Sequence, residues 1–321
     1  MNKQILYITE HLRRLLSTDQ LRCIEQACQF TSFQVNSEAI TLPEFVSIES
    51  PNVILATEQC LVFLLQTKDF SPKSNFIIFG MHKEDIPFTQ YKEKIRGIRF
   101  ILGDPPLQLL ETILIHTLRY FAKDCSENIV ENFNQQNSIS VSFELTNSKE
   151  RDDMQQKIKA FFQEQINKNK SSLTVGASVY AKNLADILEE FLMNAIWDAN
   201  PKYATLDRTK PLELLEHEKV NILCLFDGIH LILSVTDLFG SFTSKAIEKH
   251  IQASLGVKAE TQIHEGEGGA GIGLFMILQK IGVLVFEVEK GKATRATAIA
   301  RGDQSFRDMQ KKSRTLLFFE K

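Results

Sequence analysis

Long apolar runs are missing from this 321-residue chain; no stretch approaches the roughly 18 consecutive apolar residues that a membrane-spanning helix requires. An excess of basic residues is missing too. The formal net charge is −3, so there is no global positive footprint of the kind that holds nucleic acid. Cysteine is sparse: Cys23, Cys28, Cys60, Cys125 and Cys224 form no CxxC pair and no spacing typical of zinc sites. They read as small hydrophobes in a reducing compartment. The opening "MNKQILYITEHLRRLL" interrupts its apolar stretch with charges, which excludes a signal peptide. These absences predict a soluble, cytoplasmic protein that binds neither nucleic acid nor membrane. What is present is 43% hydrophobic residues, enough for two ordinary domains with buried cores.

Over the first 120 or so residues, short apolar runs alternate with amphipathic ones. "QILYI" (4–8), "NVILA" (52–56), "NFIIFG" (75–80) and "GIRFIL" (97–102) read as strands buried on both faces. Between them, "TDQLRCIEQACQF" (18–30) spaces Leu21, Ile24, Ala27 and Cys28 as a helix does, with Thr18 as its expected cap. "PPLQLLETILIHTLRYFAKD" (105–124) opens on prolines, as helix starts often do. This alternation predicts a doubly wound α/β domain over 1–122. The polar stretch 121–138 reads as a helical extension and then a linker, placed at 123–138.

From residue 139 the pattern changes. "SISVSFELT" alternates like a strand, and "SKERDDMQQKIKAFFQEQINK" reads as a helix capped by Ser148. "VNILCLFDGIHLILSVTD" (220–237) reads as a hairpin with Asp227-Gly228 in a type I′ turn, and "VLVFEVEKGKATRATAIA" (283–300) as a second one turning near Gly291. Hairpins with separate helices predict an α+β sandwich over 139–302. The tail 303–321 reads equally as a last strand or a docking segment.

Three constellations carry candidate chemistry. In "NLADILEEFLMNAIWDAN" (183–200), about 100° per residue puts Asn183, Asp186, Glu190, Asn194 and Asp198 in one sector, with Ile187 among them. Such a stripe either faces water or faces a ligand, since buried carboxylates and amides are costly without partners. Glu190 and Asn194, four residues apart, can point oxygens at one spot, which suits Mg²⁺. In "LILSVTDLFGSFT" (231–243), a strand delivers Asp237 to a turn containing Gly240, an arrangement open both to ordinary turn formation and to accepting a bond from a ligand's amino group. Third, "GEGGAGIGLF" (266–275) has five glycines in eight positions and runs into the helix-like "LFMILQKIG". Ile272-Gly273-Leu274 excludes a Walker A loop, and the polar "KAETQIHEGE" upstream excludes the dinucleotide fingerprint. A glycine loop entering a helix N-terminus is left, and that geometry attracts phosphate.

Together, "EEFLMNAIWDA", "DLFG", "GGAGIGLF" and "GKATRATAIA" resemble, in order and spacing, the ATP-binding domain of the GHKL superfamily, which includes gyrase, heat-shock chaperone, histidine kinase and mismatch-repair ATPases. The resemblance covers residues 139–300 and implies a Bergerat-type fold binding ATP and Mg²⁺. It implies Glu190 as general base, Asn194 as the Mg²⁺ ligand, Asp237 as acceptor of the adenine amino group, and Thr294 beside adenine. It also implies Gly269, Ala270, Gly271, Ile272, Gly273 and Leu274 around the phosphates, with Gly240 and Asp198 as further nucleotide contacts. Asp198 stands where relatives often carry a basic or polar residue, and Phe239 replaces the first glycine of the aspartate box. Residues 241–267 would be a lid, in which His250 and His264 read as solvated.

No histidine suits the dimerisation helix of a sensor kinase: His116 is followed by threonine among apolar neighbours and reads as a core or interface residue. The compact domain is most similar to the anti-sigma-factor serine kinases, which implies a regulatory protein kinase or ATPase acting on a protein partner (a regulator or sigma-factor-type target), with homodimerisation compatible. A non-catalytic, nucleotide-gated interaction module and an atypical histidine kinase are the alternatives. The stretch "RGIRFILGDPPLQLLETI" resembles the end of a bacterial response-regulator receiver domain. Asp104, not lysine, precedes Pro105, only Glu10 follows the first strand, and Thr57 and Glu58 stand at the acceptor position. The resemblance implies a degenerate receiver-like domain; a generic flavodoxin-like domain accounts for the pattern nearly as well.

Overall fold

The computed structural model describes residues 4–36, 53–57, 59–60, 75–80, 100–103, 105–124, 127–133, 138–243, 247 and 276–321. The chain is a mixed α/β protein that separates into two compact units, the first reaching Asn132 and the second beginning at Phe133. Among the described residues no helix is long and apolar enough to cross a membrane.

The first unit is built on parallel strands β1 (Ile5–Ile8), β2 (Gln34–Val35), β3 (Val53–Thr57), β4 (Asn75–Phe79) and β5 (Phe100–Leu102), with α1 (Glu10–Leu15), α2 (Thr18–Phe30) and α3 (Leu107–Phe121). Their order is β2-β1-β3-β4-β5, and every pairing is parallel. β3 is buried at every position, as its unbroken apolar run requires. The two-residue β2 is too short to leave a sequence pattern. Ser17, not Thr18, caps α2: its hydroxyl accepts the Gln20 N–H at 3.2 Å while the Gln20 side chain accepts the Ser17 N–H at 2.9 Å. α3 buries Leu110, Ile113, Leu114 and Leu118 along one stripe, and His116 with them at 1% exposure. Within the expected linker stretch, Ile129–Phe133 form a 3₁₀ turn with Ile129, Val130 and Phe133 buried.

The second unit contains β6 (Ile139–Leu145), α4 (Arg151–Lys168), α5 (Ser178–Met193), β7 (Val220–Phe226), β8 (His230–Asp237), β9 (Val283–Glu289), β10 (Ala293–Arg301), α6 (Phe306–Lys311) and β11 (Thr315–Glu320). Its strands run β11-β9-β10-β8-β7-β6. β11 lies parallel to β9 and the other pairs are antiparallel. The tail is therefore a helix and a sheet strand, with Leu316, Leu317, Phe318 and Phe319 buried. Each such side chain contributes about 1.5–3 kcal/mol. α5 packs along α4 and against β8 and β10, burying Leu184, Leu188, Phe191 and Leu192.

Two local expectations are corrected. Ser148 caps nothing: Asn147 caps the short turn before α4 through the Lys149 N–H at 2.9 Å, and the Ser148 hydroxyl accepts the Leu212 N–H at 2.8 Å. The β7–β8 turn is not type I′, because only Gly228 has a positive φ (+100°). The central pair is Gly228-Ile229, with glycine first as in type II′. The Asp227 carboxylate takes the N–H groups of Ile229 and His230 at 3.0 and 2.7 Å.

Candidate functional site

β8 ends at Asp237, which is 6% exposed and lies in register with Thr294 of β10. Its Oδ1 accepts the Phe239 N–H at 2.9 Å and the Gly240 N–H at 3.3 Å, closing an Asx turn. Gly240 has φ +59°, and a Cβ there would collide with the Glu289 carbonyl oxygen and stand 2.7 and 2.8 Å from the Gly291 and Lys292 nitrogens. Only glycine lets this backbone lie on the β9–β10 turn, where the Gly291 N–H donates to the Gly240 carbonyl at 3.2 Å. The chain leaves that contact toward Phe242, whose ring stacks on Phe286 with centroids 4.5 Å apart.

At the end of α5 the helix widens. Asn194–Asp198 form a π turn, and the Ala199 N–H reaches the Asn194 carbonyl at 2.7 Å. Such turns are rare and concentrate at functional sites. The π turn and the ends of β8 and β10 enclose a cavity of about 190 Å³, lined by Phe191, Asn194, Asp198, Val235, Asp237 and Thr294 among others. Four residues predicted for one site, Asn194, Asp198, Asp237 and Thr294, thus share one cavity wall.

Burial raises the Asp237 pKa above its ordinary value, against the lowering effect of the Phe239, Gly240 and Thr294 groups around it. The Thr294 hydroxyl is near enough to favour the ionised carboxylate but not in hydrogen-bonding geometry, and it is buried with no hydrogen-bond partner among the described residues. Burial also raises Asp198, opposed by Arg208, whose Nη2 donates to Oδ1 at 2.5 Å.

The other predicted residues fall elsewhere. Glu190 is half-buried, does not line the cavity, and makes no side-chain hydrogen bond to a described residue. Gly240 does not line it either; its role is the backbone contact just described. Asn183 and Asp186 serve packing: the Asn183 amide donates to the Lys280 carbonyl at 3.1 Å, and Asp186 pairs with the Lys280 ammonium at 2.8 Å. Gly269, Ala270, Gly271, Ile272, Gly273 and Leu274 lie outside the described residues, as do His250 and His264. The sequence reading missed Arg208, Phe242 and the π turn. Arg208 reaches back ten residues across irregular chain, Phe242 is set by long-range packing on Phe286, and the π turn leaves no periodic signal.

For a cation the wall offers the Asn194 side chain and the Arg208-paired Asp198. Among the described residues no group of three or more His, Cys, Asp or Glu side chains is placed to hold a metal. Mg²⁺ bound here would take most of its oxygens from phosphate and water, as that ion commonly does. No protein-family model matches the chain, and no curated protein matches it either.

Proposed function

We propose that the unit beginning at Phe133 is an ATP-binding domain of the GHKL kind, with a Bergerat-type sandwich. In this reading the protein is a cytoplasmic regulator of bacterial signal transduction, a Mg²⁺-dependent protein kinase or ATPase of the anti-sigma-factor type acting on a protein partner. The observation that carries the reading is the Asp237–Thr294 pair. A buried carboxylate and a buried hydroxyl with no partner among the described residues stand side by side in a cavity whose wall also carries the apolar Phe191, Val235 and Phe286. An adenine ring offers an amino donor to the first and a ring-nitrogen acceptor to the second, with apolar faces for the rest. At about 190 Å³ the cavity exceeds the roughly 150 Å³ known to take a single benzene ring.

ATP, when bound with Mg²⁺, supplies the transferable phosphoryl group. Asp237 and Thr294 would hold the base, Asn194 would meet the cation, and Glu190 would orient an attacking hydroxyl. The strand order of the first unit, β2-β1-β3-β4-β5, supports a receiver-like or flavodoxin-like fold there. In that reading Thr57 or Glu58 would stand at the acceptor position, and Glu10 is paired with Arg14. A second reading, the non-catalytic nucleotide-gated module, draws support from Glu190 lying off the wall and Asp198 being held by Arg208.

Thermal or urea unfolding with Mg-ATP tests the binding. At about 100 times the dissociation constant, nucleotide is expected to stabilise the protein by roughly 2.7 kcal/mol, and Asp237→Ala is expected to abolish the gain. Absence of any gain in the wild type removes the reading. Transfer of label from γ-labelled ATP, lost in Glu190→Ala, separates kinase from module.

A further inference from the structure

Arg151, the first residue of α4, reaches three residues spaced four apart on the neighbouring segment. Its Nη1 pairs with Glu189 Oε1 at 2.5 Å and donates to Met193 Sδ at 2.9 Å. Its guanidinium carbon stands 4.9 Å from the centre of the Trp197 ring. The Nε donates to the Ser148 carbonyl at 3.0 Å, and Gln155 holds the second oxygen of Glu189 at 3.1 Å. One planar fork thus ties the end of α5 to the π turn, a geometry for which arginine is suited and lysine is not. Trp197, the only tryptophan of the chain, is 1% exposed. The residues interleaved with this row, Phe191, Asn194, Ala195 and Asp198, line the cavity.

We infer that Arg151 is a positioning residue: by holding Glu189, Met193 and Trp197 it fixes the π turn that presents Asn194 and Asp198 to the cavity. The ligand in this inference rests on the nucleotide reading; the clamp itself does not.

The test uses the full chain, with Trp197 emission, acrylamide quenching and Mg-ATP affinity by calorimetry as readouts. Arg151→Ala is expected to shift Trp197 emission to the red, increase its quenching and weaken Mg-ATP about tenfold, the scale of a desolvated cation–π contact. Arg151→Lys keeps a charge for Glu189 but not the planar stack, and is expected to lose roughly threefold. Lys157→Ala, which removes an exposed pair with Asp153 on the same helix, is expected to match wild type. Wild-type emission and quenching in Arg151→Ala would overturn the clamp, and shifted emission with wild-type affinity would overturn the positioning role. If circular dichroism shows Arg151→Ala unfolded, Arg151→Lys decides by the same criteria. If the wild type binds no nucleotide, the nucleotide reading fails, and unchanged Trp197 emission in the variants then overturns the clamp separately.

Discussion

At the end of β8, burial holds the Asp237 carboxyl above the usual range although several N–H groups favour its ionised form. Folding thus makes this group bind its proton more tightly than the unfolded chain does. Between the unfolded value and the raised folded one, its contribution to stability falls as pH rises. Asp237→Asn is expected to flatten that slope in urea midpoints measured across the acid range. On the proposed nucleotide reading, binding has the opposite sign, because the amino group of adenine would meet its best acceptor in the ionised carboxylate. Affinity for Mg-ATP is expected to drop as pH falls through the raised pKa, and calorimetry at neutral and acid pH measures it. An affinity indifferent to pH in that window would remove Asp237 from the contact.

Among the elements, the junction of β8 with the β9–β10 turn carries the tightest packing requirement. Gly240→Ala would place a methyl group against three backbone atoms of residues 289–292 and force L-residue geometry at φ +59°. The left-handed conformation alone costs about 1–2 kcal/mol, and the clash adds to it. Urea denaturation is expected to show at least that loss; a change within about 0.5 kcal/mol, ordinary for surface sites, would contradict the packing. Much of this junction was legible in the sequence. The runs that became β8 and β9 announced themselves by their apolarity, and "DLFG" read as a turn. The reason for Gly240 was not legible, because its neighbours stand about fifty residues further along the chain. The same holds for the ring of Phe242 on Phe286, whereas the bond between Arg208 and Asp198 spans only ten residues but crosses irregular chain that leaves no periodic signal. The cap of α2 was misplaced by one residue: Thr18 was expected, but Gln20 is correctly spaced to complete a capping box with Ser17.

For the molecule as a whole, the thiols offer a global measurement. Burial pushes Cys23 up to about 11 and Cys28 up to about 12, and Cys224 higher still. Cys60 is 3% exposed. None of these four should react with a disulfide reagent at mildly alkaline pH while the fold persists, because the thiolate is the reacting species and the first three carry little of it, while Cys60 is closed to the reagent by burial. Guanidinium is expected to release all four, and rapid reaction of more than one thiol in the native protein would contradict the structure. Both units contribute to this count, so it reports on the integrity of each.

β6 has a consequence of a different kind. It is the last strand of its sheet, with no further strand beside it among the described residues, and an open strand is a template on which another chain can grow a fibril. Ser140, Ser142 and Glu144 occupy alternate exposed positions along it, and Glu144 is paired with Lys219 at 2.8 Å. Hydroxyls and a paired charge make a poor surface for stacking strands of like sequence. The polar half of "ISVSFEL" therefore works against fibril growth from this edge.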